Sequence, residues 1–371
     1  MKTFEYYPQP DNIYYLVPRM WPIKGGKHIF RPSPRKNVIT VGAFFSHSNY
    51  PLIGGVLKGW MPMFPWILIK QRPDIVLSIS EPNLLSTLYE GLFSRILGIK
   101  HIVFTWENVA YETKFKGLRG MIQKLIVRLN FMFCEGVVCG SRRALEIMRQ
   151  LTDKPTAVMP AMGLDVDYFK RDYSKKSFRG MDLRDYIVFG FAGVVAQRKG
   201  VHLIIRAFKE ISETIPNVRL ILAGPGEGEY GLMIDSMIDE LKLKDLVIRI
   251  PWLDRDGVWE LCNSSDVFVY PSIPYGGWED QLPYSVQEAS SMELPVISTN
   301  SGSISEILID GETGILVKSY EDHRDLKDAM EMLAKDKEKR ISMGQAGRRL
   351  ITDNYSQKVV AGKFYDFFQK I

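Results

Sequence analysis

The sequence predicts an α/β protein made of two doubly wound, Rossmann-like domains in tandem. The chain has 371 residues, too many for a single domain of ordinary size. Hydrophobic residues make up 46% of it, which suits a globular protein with a large buried interior. Short apolar runs typical of buried strands alternate with amphipathic helical patterns in both halves of the chain. This alternation requires parallel sheets that are covered by helices on both faces.

The elements follow from these runs in chain order. In the first half the predicted strands are NVITVGAFF, DIVLSIS, HIVFTW and GVVCGS, separated by helices such as NLLSTLYEGLFSRILG and GMIQKLIVRLNFMF. In the second half they are YIVFGFAG, VRLILAG, LVIRIPW, DVFVYPS and LPVISTN. The helix VHLIIRAFKEISETIP places its apolar residues on one face, and Pro216 ends the pattern.

The predicted boundary between the domains lies in residues 165–186, which are polar, charged and without periodicity, as in a linker. We therefore expect a first domain over residues 1–170 and a second over residues 186–354. The last helix, residues 355–371, is rich in aromatic side chains and needs an apolar surface, so we expect it to complete the first domain. Two such domains leave a cleft between the carboxyl ends of their strands, where ligands bind.

Charge is distributed unevenly along the chain. Residues 1–180 contain 26 Lys and Arg but 13 Asp and Glu, whereas the remainder is net acidic and the whole chain carries +5. The excess indicates an anionic partner for the first half, and a nucleic acid, an anionic bilayer or a phosphorylated acceptor would each fit. Residues 51–70 are apolar but not a predicted membrane span, because three prolines, three glycines and a lysine interrupt them. The aromatic residues that suit either a membrane interface or the core are Trp60, Phe64 and Trp66.

Cysteine and histidine give no sign of a metal site or of nucleophilic catalysis. The three cysteines, Cys134, Cys139 and Cys262, have neither ligand spacing nor the even number of a disulfide framework, which favours a reducing compartment. The five histidines are scattered. The start of the chain lacks the apolar segment of a secretory signal. We expect a cytoplasmic protein without a metal.

The segment FAGVVAQRKGVHLIIRAF is a candidate phosphate site. A buried strand ends at Gly193, the cations Arg198 and Lys199 follow in a short loop, and Gly200 opens a helix. Backbone N–H groups and the helix dipole favour anions at such a place. The alternative is a solvated basic loop.

Two further segments follow predicted strands. In ILAGPGEGE, residues 221–229, the glycine spacing is not the dinucleotide fingerprint, which leaves a tight turn or a close backbone approach to a ligand. In FTWENVAYE, Glu107 and Asn108 lie at the carboxyl end of a strand, where polar groups point into the cleft of this architecture. For Glu107 a satisfied loop carboxylate is the alternative.

The segment WEDQLPYSVQEAS, residues 278–290, places acids on both sides of a helix start. Pro283 suits the first helical position, and Asp280 in the preceding loop could cap the helix. Glu288 lies about two turns into the helix, too far to act as a cap. It therefore faces solvent or accepts hydrogen bonds from a polyhydroxylated ligand.

Taken in order, these segments resemble the retaining glycosyltransferases of family four, which have the GT-B fold. The resemblance covers nearly the whole chain and is strongest over residues 187–320. It is carried by FAGVVAQRKGV, LAGPGEGE, VIRIPWL, DVFVYPS, the pair Asp280 and Glu288, LPVISTNSGSISEIL and DGETGILV, in that order. It implies a nucleotide-diphosphate sugar as donor, a saccharide or lipid-linked saccharide as acceptor, no nucleic acid and no metal cofactor. An acceptor at an anionic membrane would suit the basic first half and peripheral association with the membrane's inner face.

The resemblance also implies roles for individual residues. Lys199 would contact the donor diphosphate with help from Arg198, Asp280 would lie near the transferred sugar, Glu288 would bind the ribose, and Glu107 would lie near the donor sugar. The remaining implied positions are Gly193, Glu279, Leu282 and Pro283 on the donor side, and Gly25, Gly26 and Asn108 on the acceptor side.

Three departures from the family pattern bear on activity. Val194 stands where the family commonly has Arg, Asp280 stands where it has Glu, and Pro283 stands where it has Gly. Arg198 could replace the first missing group and Glu279 the second. The rival functions are a nucleotide-sugar epimerase or hydrolase and a non-catalytic nucleotide-sugar binder.

Overall fold

The computed structural model describes residues 2–22, 29–30, 32, 35–45, 56–111 and 117–371. The chain divides into two compact units: Met1–Gly163 together with Val360–Ile371, and Leu164–Val359. Each unit has its own sheet and core.

The first unit contains a four-stranded parallel sheet in the order β5-β6-β7-β8. Its strands are β5 Ile75–Ser78, β6 Lys100–Thr105, β7 Gly136–Cys139 and β8 Thr156–Val158. Two smaller pairs precede it: β1 Tyr15–Pro18 with β4 Val38–Val41, and β2 Trp21–Pro22 with β3 Ile29–Phe30. The helices are α1 Phe64–Gln71, α2 Leu85–Ile96, α3 Gly117–Phe133, α4 Arg142–Arg149 and the C-terminal α11 Gln357–Lys370.

The central strands of this sheet are buried on both faces, which their continuous apolar runs predicted. On one face Ile102 and Phe104 pack with Val360 and Phe364 of α11, and on the other Val103 packs with residues of α3 and α4. The C-terminal helix, expected to complete the first domain, thus lies in the core of the first unit. Most of the energy for holding it there comes from burial of its apolar side chains.

The second unit is a doubly wound domain with a six-stranded, wholly parallel sheet in the order β13-β12-β11-β14-β15-β16. The strands are β11 Ile187–Ala192, β12 Val218–Ala223, β13 Val247–Ile250, β14 Val267–Tyr270, β15 Val296–Thr299 and β16 Gly314–Val317. The helices are α5 Val201–Thr214, α6 Gly228–Glu240, α7 Arg255–Ser264, α8 Tyr284–Ser291, α9 Arg324–Lys335 and α10 Lys337–Tyr355. All five strands predicted for this half are present.

The prediction of a linker over residues 165–186 is wrong. The stretch belongs to the second unit and contains a short antiparallel hairpin, β9 Ser177–Phe178 with β10 Met181–Asp182. It is fixed by polar contacts, since Asn263 Nδ2 at the end of α7 donates to the backbone oxygens of Asp172 (3.1 Å) and Lys175 (2.8 Å). The stretch also buries Phe178 and Leu183. Periodicity does not reveal such anchoring, because these apolar residues are isolated and form no repeating stripe.

Candidate active site

The candidate site lies where the strand order of the second sheet reverses. β11 pairs with β12 on one side and with β14 on the other. The connection after β11 therefore leads to one half of the sheet, and the connection after β14 leads to the other half. Ligands of open α/β sheets bind at the carboxyl ends of the strands at such a switch point. After β11 come a 3₁₀ turn, Gln197–Lys199, and α5, and after β14 comes the loop that leads to α8. The fold therefore brings the two predicted segments together.

Lys199 and Asp280 form a buried ion pair at this switch point. Lys199 Nζ lies 2.8 Å and 2.7 Å from the two carboxylate oxygens of Asp280, and it also donates to the hydroxyl of Tyr270. Lys199 is 8% exposed and Asp280 is 5% exposed. Burial lowers the pKa of Lys199 from its usual value, and the Asp280 carboxylate acts in the opposite direction. The ammonium is thus held in one place by two partners.

Trp278 was not predicted from the sequence, although it begins the segment that carries the two acids. Its ring centroid lies 4.6 Å from Lys199 Nζ and 5.2 Å from the guanidinium carbon of Arg198. Aromatic faces attract cations at these distances. The only sequence signal was an aromatic residue next to the loop acids.

Arg198 and the glycine-rich turn are joined to each other. Arg198 Nη1 lies 2.5 Å from Glu227 Oε2 in residues 221–229. A Cβ added at Gly224, where φ is +138°, would lie 1.7 Å from the carbonyl oxygen of Gly193. The tight turn, one of the two alternatives for these glycines, is therefore present, and it brings Gly224 against the backbone of Gly193.

Glu279 and Asp280 have different surroundings. Glu279 Oε2 accepts a hydrogen bond from the N–H of Gly302 (2.9 Å), whereas the Asp280 carboxylate meets Lys199. The backbone oxygen of Asp280 accepts from the N–H of Ser303 (3.0 Å). Glu279 thus binds the neighbouring loop, and Asp280 is the acid that reaches the buried lysine.

Helix α8 begins one residue later than predicted. Pro283 is its N-cap, with φ −60° and ψ 122°, and Tyr284 is the first helical residue. The ring of Pro283 keeps its φ fixed, and its missing N–H falls outside the first-turn donors of the helix. Leu282 is buried, and its backbone oxygen accepts from Gln287 Nε2 (3.2 Å).

Glu288 on α8 is surrounded by protein but keeps partial contact with solvent. Burial raises the pKa of its carboxyl to about 7, and the charge of Arg255 acts in the opposite direction. A carboxyl with such a pKa titrates near neutral pH and is a candidate for a functional role.

In the first unit, Glu107 and Asn108 follow β6 and are both buried. Glu107 Oε1 is 3.4 Å from the N–H of Val109, a local contact. Glu81, which was not predicted, accepts from the N–H of Trp106 (2.9 Å) and from Thr105 Oγ1 (2.5 Å). Its position directly after the predicted strand DIVLSIS was the signal that could have found it. The predicted Gly25 and Gly26 lie outside the described residues.

Within the described ranges, no group of three or more His, Cys, Asp or Glu residues is placed to hold a metal ion. The three cysteines are buried and form no disulfide. No helix in this part of the chain is sufficiently long and apolar to span a bilayer.

Residues 175–350, most of the second unit, match the profile of the family described as glycosyl transferases group 1. The capsular polysaccharide biosynthesis glycosyltransferase CapM of Staphylococcus aureus is 26% identical over 300 residues, which cover 78% of this chain and 75% of that protein. Alpha-D-kanosaminyltransferase of Streptomyces kanamyceticus is 23% identical over 297 residues, 77% of this chain and 74% of its own.

The crystal structure of Anabaena Alr3699/HepE in complex with UDP is similar over 90% of this chain and 86% of its own, with a TM-score of 0.73 and 16% identity. The fold is therefore GT-B. The family profile over residues 175–350 and these relatives agree in indicating a glycosyltransferase.

Proposed function

We propose that the protein transfers a hexose from a UDP- or GDP-sugar to a saccharide or lipid-linked saccharide acceptor, with retention of anomeric configuration. The product would serve glycan or cell-envelope synthesis. Support comes from the capsular polysaccharide enzyme among the relatives and from the UDP bound by the structural neighbour. The observation that carries the proposal is the buried Lys199–Asp280 pair at the switch point of the second sheet.

Lys199 would stabilise the departing diphosphate. Breaking the bond between the anomeric carbon and the diphosphate gives a transition state with positive charge on the sugar and growing negative charge on the leaving group. An enzyme gains rate when it binds that charge more strongly than the ground state. The ammonium has three donors, directed at Tyr270 and the two oxygens of Asp280. A phosphate oxygen would replace one Asp280 contact and leave the others to orient the ammonium.

The other predicted residues fit around this step. Asp280 would orient the sugar and favour its developing positive charge, and Glu288 would accept hydrogen bonds from the ribose. Arg198 would assist at the diphosphate, and the first-turn N–H groups of α8 would add donors there. Glu107 would lie near the donor sugar. The leaving phosphate oxygen would take the acceptor's proton, so this route involves no metal.

The test is the variant Lys199→Ala in a transfer assay with a panel of UDP- and GDP-sugars. We expect turnover to fall by about 10²–10³, the effect of losing one transition-state donor. Lys209→Ala, which removes a partly exposed lysine of α5 paired with Glu213, is the matched control. Because Lys199→Ala leaves Asp280 without its partner, its thermal midpoint is measured in parallel to separate lost chemistry from lost folding.

Three outcomes would contradict the proposal. Turnover near the wild-type level in a folded Lys199→Ala protein would remove Lys199 from the mechanism. Donor conversion at the same rate with and without acceptor would indicate an epimerase or hydrolase. Tight nucleotide-sugar binding with no release of nucleoside diphosphate for any acceptor would indicate a non-catalytic binder.

A further inference from the structure

Helix α3 of the first unit carries a row of apolar side chains that face solvent. Its members follow one another at spacings of three or four residues, which places them on one face of a helix. Leu129 in the same row is partly exposed. The most exposed members are Leu118 (73%), Met121 (69%), Leu125 (57%) and Met132 (65%).

The row is not the face that holds α3 in the fold. The opposite side of the helix packs into the core through Val127 and Phe131. It is also fixed by Asn130, whose amide Nδ2 donates to the backbone oxygen of Pro82 (2.8 Å). A surface helix of a globular protein normally has a polar outer face, so a second apolar face marks an interaction surface.

The surroundings of the row are basic. The sequence from Gly117 to Phe133 contains no Asp or Glu, and Arg128 and Lys124 flank the row, the first exposed and the second partly so. Helix α2 packs against both α1 and α3. Helix α1 exposes Trp66 and Ile69, and helix α2 exposes Ile96. The only acid within α1 or α2, Glu90, is buried.

We propose that this outer face of α3, with the exposed side chains of α1 and α2, is a docking surface for an anionic lipid bilayer. An apolar row flanked by cations suits a helix that lies in the plane of the interface, with its apolar side chains among the acyl chains and its cations at the headgroups. A second copy of the chain fits less well, because a symmetric contact would bring the Arg128 side of one α3 against the other α3, which also has no Asp or Glu to offset that charge.

This surface deepens the proposed function by naming the part of the chain that would meet a membrane-borne acceptor. Of the three aromatic residues that the sequence suggested for a membrane interface, the structure leaves only one suited to it. Phe64 is buried in the core, and Trp60 packs on Tyr89 with ring centroids 4.2 Å apart. Of the three predicted aromatics, Trp66 is the one that is largely exposed.

The experiment measures co-sedimentation of the full chain with liposomes, without nucleotide or sugar, so that it does not depend on catalysis. Liposomes of phosphatidylcholine alone are compared with liposomes containing phosphatidylglycerol, at low and high salt. The test variant is Met121→Gln/Leu125→Gln. The control is Leu232→Gln/Met233→Gln, which removes one exposed Leu and one exposed Met from the second unit.

We expect binding to the anionic liposomes alone, weakened by salt, and lowered about tenfold or more in the test variant but not in the control. Arg128→Gln should lower it about fivefold at low salt. Equal binding by test and control variants, or none by the wild type, would overturn the proposal. So would a concentration-dependent dimer in sedimentation equilibrium that the test variant abolishes, since the face would then join two copies. Donor turnover with a soluble acceptor, measured on the same preparations, separates failure of docking from failure of the proposed activity.

Discussion

Lys199 and Asp280 are each tolerated in the interior because the other is there. Removing a charge from water costs several kcal/mol, and an opposite charge with good hydrogen-bond geometry offsets that cost. The burial that lowers the pKa of Lys199 also reduces the screening of its field. A cation held in such surroundings acts more strongly on a neighbouring diphosphate than an exposed one would.

A second buried group of polar side chains lies in the first unit. Ser78 Oγ is 2.5 Å from Glu90 Oε2 and 2.8 Å from His101 Nε2. Burial raises the pKa of Glu90 from 4.5 to about 7, against the effect of its hydrogen bond with Ser78. Burial lowers the pKa of His101 from 6.5 to about 4. The folded state therefore disfavours the charged form of both groups.

The two shifts have opposite effects on stability. The raised pKa of Glu90 gives stability that is fully present below pH 4.5 and is lost as the pH rises through 7. The lowered pKa of His101 gives stability that is present above pH 6.5 and is lost as the pH falls through 4. In the wild type, the pH dependence of stability due to Glu90 and that due to His101 largely cancel between about pH 4.5 and 6.5.

The variant Glu90→Gln should separate the two slopes, because glutamine keeps the size and hydrogen-bonding groups of the side chain without its titration. Its free energy of unfolding relative to wild type should rise between pH 4.5 and about 7, by on the order of 3 kcal/mol, and then level off. Urea unfolding at a series of pH values measures this difference. Glu146→Gln, at an exposed position of α4, controls for loss of a surface carboxylate. A difference that stays constant with pH would refute the assignment.

At the scale of elements, the position of the acidic loop depends on the loop beside it. Gly302 adopts φ +61°, and a Cβ there would lie 1.8 Å from the backbone oxygen of Asp280. The N–H of the same glycine binds Glu279. The loop after β15 therefore sets where the loop before α8 lies, and with it the carboxylate that meets Lys199.

Gly302→Ala should displace the acidic loop and lower both stability and donor turnover. Gly276→Ala is the matched control, because Gly276 also has a positive φ (+58°) but a Cβ there meets no atom within 4 Å. The control should show the strain of the left-handed backbone alone, about 1–2 kcal/mol. The test variant should lose more than this in urea unfolding and should also lose activity. Equal effects of the two substitutions would show that the close approach is unimportant.

At the scale of the whole molecule, the chain leaves the first unit at residue 163 and returns to it at residue 360. Phe364 of α11 is fully buried, and its ring centroid lies 5.1 Å from that of Phe4 near the N-terminus. The two ends of the chain thus share one core. The stability of the first unit therefore depends on two stretches of sequence that the second unit separates, residues 1–163 and 360–371.

Phe364→Ala should therefore destabilise the first unit selectively, by about 3–5 kcal/mol, the cost of truncating a buried phenylalanine. Hydrogen exchange read by mass spectrometry can locate the loss. Amides of β6 and β7 should exchange faster, whereas those of β11 and β12 should keep their protection. Gln369→Ala, at an exposed position of the same helix, is the control. Uniform loss of protection in both units would show that they unfold together.

The sequence by itself determined the class of the fold, the strands of the second sheet and the segments at its switch point. Apolar periodicity carries this information because a side chain's burial depends on its place along a strand or helix. Periodicity failed for residues 165–186, where polar contacts and isolated buried side chains hold the backbone without a repeating stripe. It was wrong by one residue at Pro283, because proline fits both the N-cap and the first turn.

Only the tertiary structure decided which side chains meet. Lys199 and Asp280 are 81 positions apart in the sequence, and Arg198 pairs with Glu227 although Lys199 beside it pairs elsewhere. Trp278 contacts Lys199, and Glu81 binds the N–H of Trp106; no local spacing in the sequence predicts either contact. The outer row of α3 has the apolar pattern of a core helix, and only the fold shows that it faces solvent. Periodicity indicates that a face is apolar, but what covers that face depends on how separate elements pack in three dimensions.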